Sequence, residues 1–416
     1  MRLQSLPLLL LSINFRFFRR ILKAYQVAPE AERFMTGLER RVKGLDGLRA
    51  LAVMLVFLSH KAHVDAIDAG KIGVWLFFLI SGYLIIGELH RNRLRVEQRT
   101  ARRDAVLYVF FLKRTLRIFP VYYLLLIALT IAHAFFYQRD VNLGLAWHYV
   151  FLSNFWIGIV HDGWPGSVSH FWSLAVEQQF YLIAPFALLF TRASYHLAIC
   201  IVMICGAALA HLVLYATGAI EPLVYAFSPW NFALLALGGV LAILSIGGAR
   251  VPIEGRVRSG VWFVLACASL VTFALARADC DTCEAAQRAV LPGLLDIGLA
   301  LSLGAVFLWL VRRQDSALVS ALEARPIAYL GTISYGFYLF HNLVPSRLGE
   351  APAFYASLNV PPLAQDLLSL VMQFALSVLL AHLSWQLLEK RVLEWKEPLA
   401  TAIRSRLPAR AAAGRT

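Results

Sequence analysis

Charged side chains are scarce in this sequence: Asp, Glu, Lys and Arg make up 15% of 416 residues, whereas a soluble domain approaches about a quarter. With 59% of the residues hydrophobic, the chain lacks the polar surface a soluble protein needs, and the composition predicts a polytopic membrane protein. Cysteine is scarce too, five in all. Cys200, Cys205 and Cys267 fall in apolar runs and are expected to be inert; Cys280 and Cys283 (DCDTC) fall in an exterior loop and read first as a local disulfide, with free thiols the alternative. That segment offers too few ligands for a metal, and pairing His60 with His63 gives no third ligand, so no metal site is expected. No phosphate-binding glycine loop or dinucleotide fingerprint is present, which leaves nucleotide hydrolysis and hydride transfer without support. There is no tandem repeat and no stretch long enough for a soluble domain; the longest exterior segment, about 138–170, is short and aromatic.

What the sequence has is long apolar runs. Spans are predicted at 45–62, 71–88, 118–137, 171–190, 196–216, 230–247, 260–276, 292–311, 327–345 and 363–388, an all-α bundle of about ten transmembrane helices. An even number puts both termini on one side. With a cytoplasmic N-terminus, only Lys61, Lys71, Arg139, Arg277, Arg288 and Arg347 of the 39 lysines and arginines fall outside, as the positive-inside rule requires. The net charge of +14 is then a topology signal, and no nucleic-acid partner is expected. Residues 1–42 read as a basic, amphipathic cytoplasmic segment: Leu6–Leu11 has the length of a signal core, but FRFFRRILK follows instead of a cleavage site. Residues 43–395 form the transmembrane domain, and 396–416 read as a disordered cytoplasmic tail.

Ionisable groups inside a bilayer are costly and point to function. In GLDGLRALAVMLVFLSH, Arg49 and His60 lie eleven positions apart. On a helix that is three turns plus roughly 20°, so both share one stripe about 16 Å long. Arg49 also suits a topology anchor, and His60 an interfacial histidine. Ser81–Gly82 sits mid-span, where small residues permit close helix packing or open a passage. Glu177, Gln178 and Gln179 interrupt an apolar run; the carboxylate needs a basic partner, a cavity or a shared proton with His60. Lys113, Arg114 and Arg117 form a basic face suited to lipid headgroups or to the phosphates of a donor such as coenzyme A.

Five blocks in order, GLDGLRALAVMLVFLSH, GVWLFFLISGYLI, KRTLRIFPVYYL, FWSLAVEQQFYLIAP and YLGTISYGFYLFHNLV, resemble the acyltransferase 3 family over about residues 43–395. The resemblance implies a membrane-embedded O-acyltransferase of a bacterial-type inner membrane, moving an acyl group, most often acetyl, from cytoplasmic acyl-CoA to a hydroxyl of a sugar, polysaccharide or glycolipid. It implies His60 as general base, with Glu177 orienting it or stabilising its imidazolium. Arg49, Arg114 and Arg117, with Lys113, would hold the donor. Ser81, Gly82, Gln178 and Gln179 would line the channel; His341 falls in a matching block with no chemical role assigned beyond lining. Acyl-CoA is then a co-substrate, and no permanently bound cofactor is expected. Many members have a second glutamate where Gln178 stands, so a mechanism needing two acids there is in doubt. Some relatives carry a C-terminal hydrolase-like domain, and a stand-alone form is expected here. The competing class is a secondary transporter or flippase using the same Glu and His, which should show paired broken helices in repeated halves.

Overall fold

The structure, a computed structural model, describes residues 42–62, 68–136, 143–248, 256–280, 290–345 and 361–408. All regular structure among these residues is helical. Lipid offers no partner to a bare N–H or C=O, so an apolar run closes its backbone bonds within itself. The long helices are α1 (Leu45–Ala62), α2 (Ala69–Glu97), α3 (Arg103–Phe136), α4 (Phe171–Leu189), α5 (His196–Ala216), α6 (Ser228–Ile246), α7 (Arg256–Cys280) and α8 (Leu291–Arg312). They are followed by a helix interrupted at Ile333, α9 (Arg325–Thr332) and α10 (Ser334–Phe340), and by α11 (Pro362–Ser384) and α12 (Lys396–Arg406).

Among the described residues, seven helices are long and apolar enough to cross a membrane: α2, α3, α5, α6, α7, α8 and α11. The chain is thus a multi-pass helical membrane protein. The remaining predicted spans coincide with α1, α4 and α9–α10. Their lower apolarity has a chemical origin. α1 carries Asp46, Arg49 and Lys61, α4 carries Glu177, Gln178 and Gln179, and the third is broken at Ile333.

α2 is the axis of the bundle. Its apolar window is 72% buried, against 17–22% for α3, α5, α7 and α11, which turn side chains such as Leu124, Ile127 and Phe135 outward. α2 packs most extensively on α6, then on α1. The α2–α6 crossing is set by two glycines: a Cβ on Gly82 would strike the Leu235 carbonyl, and one on Gly238 the Leu79 carbonyl. Backbones meet there as small residues allow in membrane bundles.

Two expectations change. The tail is ordered further than predicted, because α12 packs against α3 with Ala400 fully buried and Ile403 half-buried one turn on. Lys71 and Arg277, counted among the exterior loop charges, lie in α2 and α7 and are 6% and 8% exposed. They converge on buried Asp296 of α8, Lys71 Nζ at 3.6 Å and Arg277 Nε at 3.3 Å. His211 Nε2 (3.0 Å) and the Tyr215 hydroxyl (2.9 Å) complete that cluster. The N-terminal segment 1–41, His63 and Cys283 lie outside the described residues, so the amphipathic helix and the disulfide do too.

Candidate active site

α1 is unbroken between Arg49 and His60, so the two side chains stand about 16 Å apart along one stripe. Three adjoining cavities follow that stripe. The largest, about 1260 Å³, is lined by Arg49, Arg91, Arg95, Arg102, Lys113, Arg114 and Arg404, with Asp46, Glu88 and Glu397 the acids among them. The middle one, about 100 Å³, is lined by Arg49, Ser81, Arg114, Arg117, Glu177, Tyr181, Tyr335 and Tyr338. The third, about 320 Å³, contains His60 with His170, Trp164, Trp172 and Tyr225. Arg49, Leu84 and Arg114 belong to both the first and second cavities, and Val74 and Tyr338 to both the second and third. The arginine and histidine ends are therefore separated by a narrow waist that shares walls with both.

At the arginine end, Arg49 Nη1 donates to Asp46 Oδ1 at 2.7 Å, one turn back on α1. Arg114 Nη2 donates to Glu88 Oε2 at 2.9 Å, and Lys113 Nζ lies 3.6 Å from the other oxygen of that carboxylate. The guanidinium of Arg114 also faces the rings of Phe110 and Tyr181, each 5.5 Å away. Cations outnumber acids on this wall, so it has positive potential left for an anionic ligand.

In the waist, Glu177 Oε1 accepts from Ser81 Oγ at 2.5 Å and from the Tyr181 hydroxyl one turn on. The carboxylate therefore ties α4 to α2 and does not bond His60. Gly82 is absent from the cavity wall, since its face is spent on α6. Gln178 and Gln179 do not line the waist either. Gln179 Nε2 donates to the Phe151 carbonyl and Asn154 Oδ1, both at 2.8 Å, and its Oε1 accepts from Ser228 Oγ at 2.7 Å. It binds a connection to the bundle.

At the histidine end, His60 Nδ1 lies 2.9 Å from His341 Nε2, the rings parallel within 2° and 5.1 Å apart. His341 Nδ1 lies 2.7 Å from the Tyr338 carbonyl oxygen, which can only accept. The neutral ring carries one N–H, so His341 Nδ1 holds it and Nε2 accepts. His60 Nδ1 must then be the donor, and the lone pair of neutral His60 sits on Nε2. A carbonyl two links away fixes the tautomer that a general base needs.

Sequence reasoning missed His341 as the partner of His60, together with Tyr181, Tyr335 and Tyr338. Two had a legible signal: Tyr181 is four positions from Glu177 and Tyr338 three from His341, each one helical turn.

Residues 42–382 match the acyltransferase domain of the acyltransferase 3 family. This chain belongs to that family. Among curated acyltransferase 3 relatives, the peptidoglycan O-acetyltransferase OatA of Listeria monocytogenes is 27% identical over 364 residues, 84% of this chain and 55% of that protein. YrhL of Bacillus subtilis is 28% identical over 375 residues, 85% of this chain and 55% of that protein. The O-acetyltransferase OatA of Staphylococcus aureus is 31% identical over 163 residues, 36% of this chain and 25% of that protein. This acyltransferase 3 chain thus spans about half the length of the Listeria and Bacillus relatives. No solved structure matches it.

Proposed function

We propose that the chain moves an acetyl group from cytoplasmic acetyl-CoA to a hydroxyl of a saccharide acceptor, with His60 as general base. The observation that carries this is the His60–His341–Tyr338 hydrogen-bond series, which puts a basic Nε2 at one end of a path whose other end is lined with guanidinium groups. The arginine end takes the cytoplasmic side in an inner membrane, with about ten spans and both termini inside. There Arg49, Arg114 and Arg117, with Lys113, hold the phosphates of the donor, for which bidentate guanidinium pairing is suited. The stripe from Arg49 to His60 is comparable in length with an extended pantetheine arm, so the thioester reaches the waist while the nucleotide stays in the wide cavity.

The step balances without a further reagent. The acceptor oxygen attacks the thioester carbonyl carbon as its proton passes to His60 Nε2. The tetrahedral intermediate collapses with cleavage of the C–S bond. The departing thiolate takes the proton from His60, leaving coenzyme A and an O-acetyl ester. His341 positions the imidazole, and Glu177, held by Ser81 and Tyr181, supplies negative charge to the waist. The saccharide class follows the Listeria relative, described as acting on peptidoglycan.

The test is release of coenzyme A from purified protein in nanodiscs, read with a thiol reagent, alongside transfer of radiolabelled acetyl to glycan. Solute movement across the bilayer without thiol release would replace this reading with the transporter.

A further inference from the structure

The chamber at the histidine end is built unlike the rest of the path. At about 320 Å³ it stands near the lower limit of small-molecule sites, roughly 300–1,000 Å³. One side is aromatic: Trp164, Trp172 and Tyr225 form a closed set, with ring centroids 6.5, 5.8 and 4.9 Å apart. Trp164 is 37% exposed, whereas Trp172 is 3% exposed, so Trp164 is the ring with area to offer a ligand.

The other side is polar and rich in acceptors. Glu221 Oε2 accepts from Trp164 Nε1 at 3.0 Å, which leaves its second oxygen for other donors. Asp68 stands on the same wall, 39% exposed at its side chain. The one lysine lining this chamber, Lys71, is engaged by two carboxylates, Asp68 Oδ2 at 2.7 Å and Asp296 Oδ1 at 3.6 Å. His170, 2% exposed, has Nε2 3.2 Å from the Leu339 carbonyl, so Nε2 is the donor and Nδ1 carries the lone pair. That Nδ1 has no hydrogen-bond partner, and no other buried side-chain atom on the chamber wall shares that condition among the described residues.

A wall of carboxylate acceptors matches a ligand that brings O–H donors. It repels one that brings negative charge, because its single ammonium is already compensated. A flat ring beside such acceptors suits the C–H face of a sugar ring. We infer that this chamber is the acceptor subsite for an uncharged pyranose unit, stacked on Trp164, with hydroxyls bonded to Glu221 and Asp68 and one hydroxyl directed to His60. The inference rests on the acyl-transfer reading only for what happens at His60; binding stands apart from it.

Methyl β-D-glucopyranoside serves as the neutral probe and methyl β-D-glucuronide as the anionic one, with full-length protein in nanodiscs and saturation-transfer NMR. The neutral glycoside should bind at least tenfold more tightly than the glucuronide. Trp164→Ala and Glu221→Gln should each weaken it fivefold or more, Trp164→Phe should keep most of the affinity, and acetyl-CoA binding should stay unchanged in all three as a check on folding. Absence of neutral-glycoside binding, preference for the glucuronide, or indifference to both Trp164→Ala and Glu221→Gln overturns the subsite. Correct binding with no release of coenzyme A leaves the subsite standing and removes the acyl-transfer reading. Release without this binding pattern does the reverse.

Discussion

The two ends of the path solve opposite problems of charge. The arginine end is wide and lined by seven basic residues against three acids. The histidine end has about a quarter of that volume, four tryptophan and tyrosine side chains, and one lysine, already neutralised. Arg49 marks one end of α1 and His60 the other, so a single helix connects a region suited to phosphate with one suited to uncharged hydroxyls. The difference suggests that donor and acceptor never compete for the same wall. Variants at one end should therefore leave binding at the other untouched.

The largest expected effect breaks the comparison at its chemical end. His60→Ala should lower kcat by about 10²–10⁴-fold, the range general-base catalysis supplies, without changing acetyl-CoA affinity measured by equilibrium dialysis. A parallel loss of donor binding would mean the ends are coupled. His341→Phe removes the acceptor that fixes the His60 tautomer and should cost about 10–10²-fold in kcat with a displaced pH profile. His341→Gln retains a side-chain acceptor and should recover part of the loss.

At the arginine end, Arg114→Ala should raise the acetyl-CoA Kd about 10-fold, from roughly 1.5 kcal/mol for a charge-assisted bond, and flatten its salt dependence. Removing the competing acid sharpens the contrast in the other direction. Glu88→Gln should tighten the donor about two- to fivefold, from roughly 0.5–1 kcal/mol for a partly exposed pair, visible in the same dialysis assay. Gly82→Ala should change neither Kd but lower thermal stability, since the added methyl meets the Leu235 backbone; small-to-large changes in packed sites cost about 1–3 kcal/mol.

The bundle was legible because spans are long apolar runs, and seven of those predicted coincide with helices long and apolar enough to cross a membrane. The exceptions to membrane-like apolarity are α1, α4 and the interrupted α9–α10; α1 and α4 bring Arg49 and Glu177 to the waist, and His341, just past α10, meets His60. Placement was legible where one helix holds both residues, as for Arg49 and His60. It failed where the partner arrives from elsewhere: His341 is 281 positions from His60, and no spacing encodes that contact. Polar residues inside a span also had two uses that sequence could not separate. Glu177 turns to the waist, but Gln179, two positions on, turns to Asn154 and Ser228. The misplacement of Lys71 and Arg277 has the same origin, because Asp296, which neutralises them, lies in a separate helix.

The waist has a consequence outside the chemistry of transfer. An energised membrane stores its potential only while no continuous water column joins its faces, and this protein places a polar hollow near each end of one helix. Val74 and Tyr338 at one threshold, and Arg49 with Arg114 at the other, hold the connection to about 100 Å³. That restriction limits any water column between the two hollows, and the fixed cations at the arginine threshold discourage protons from crossing it.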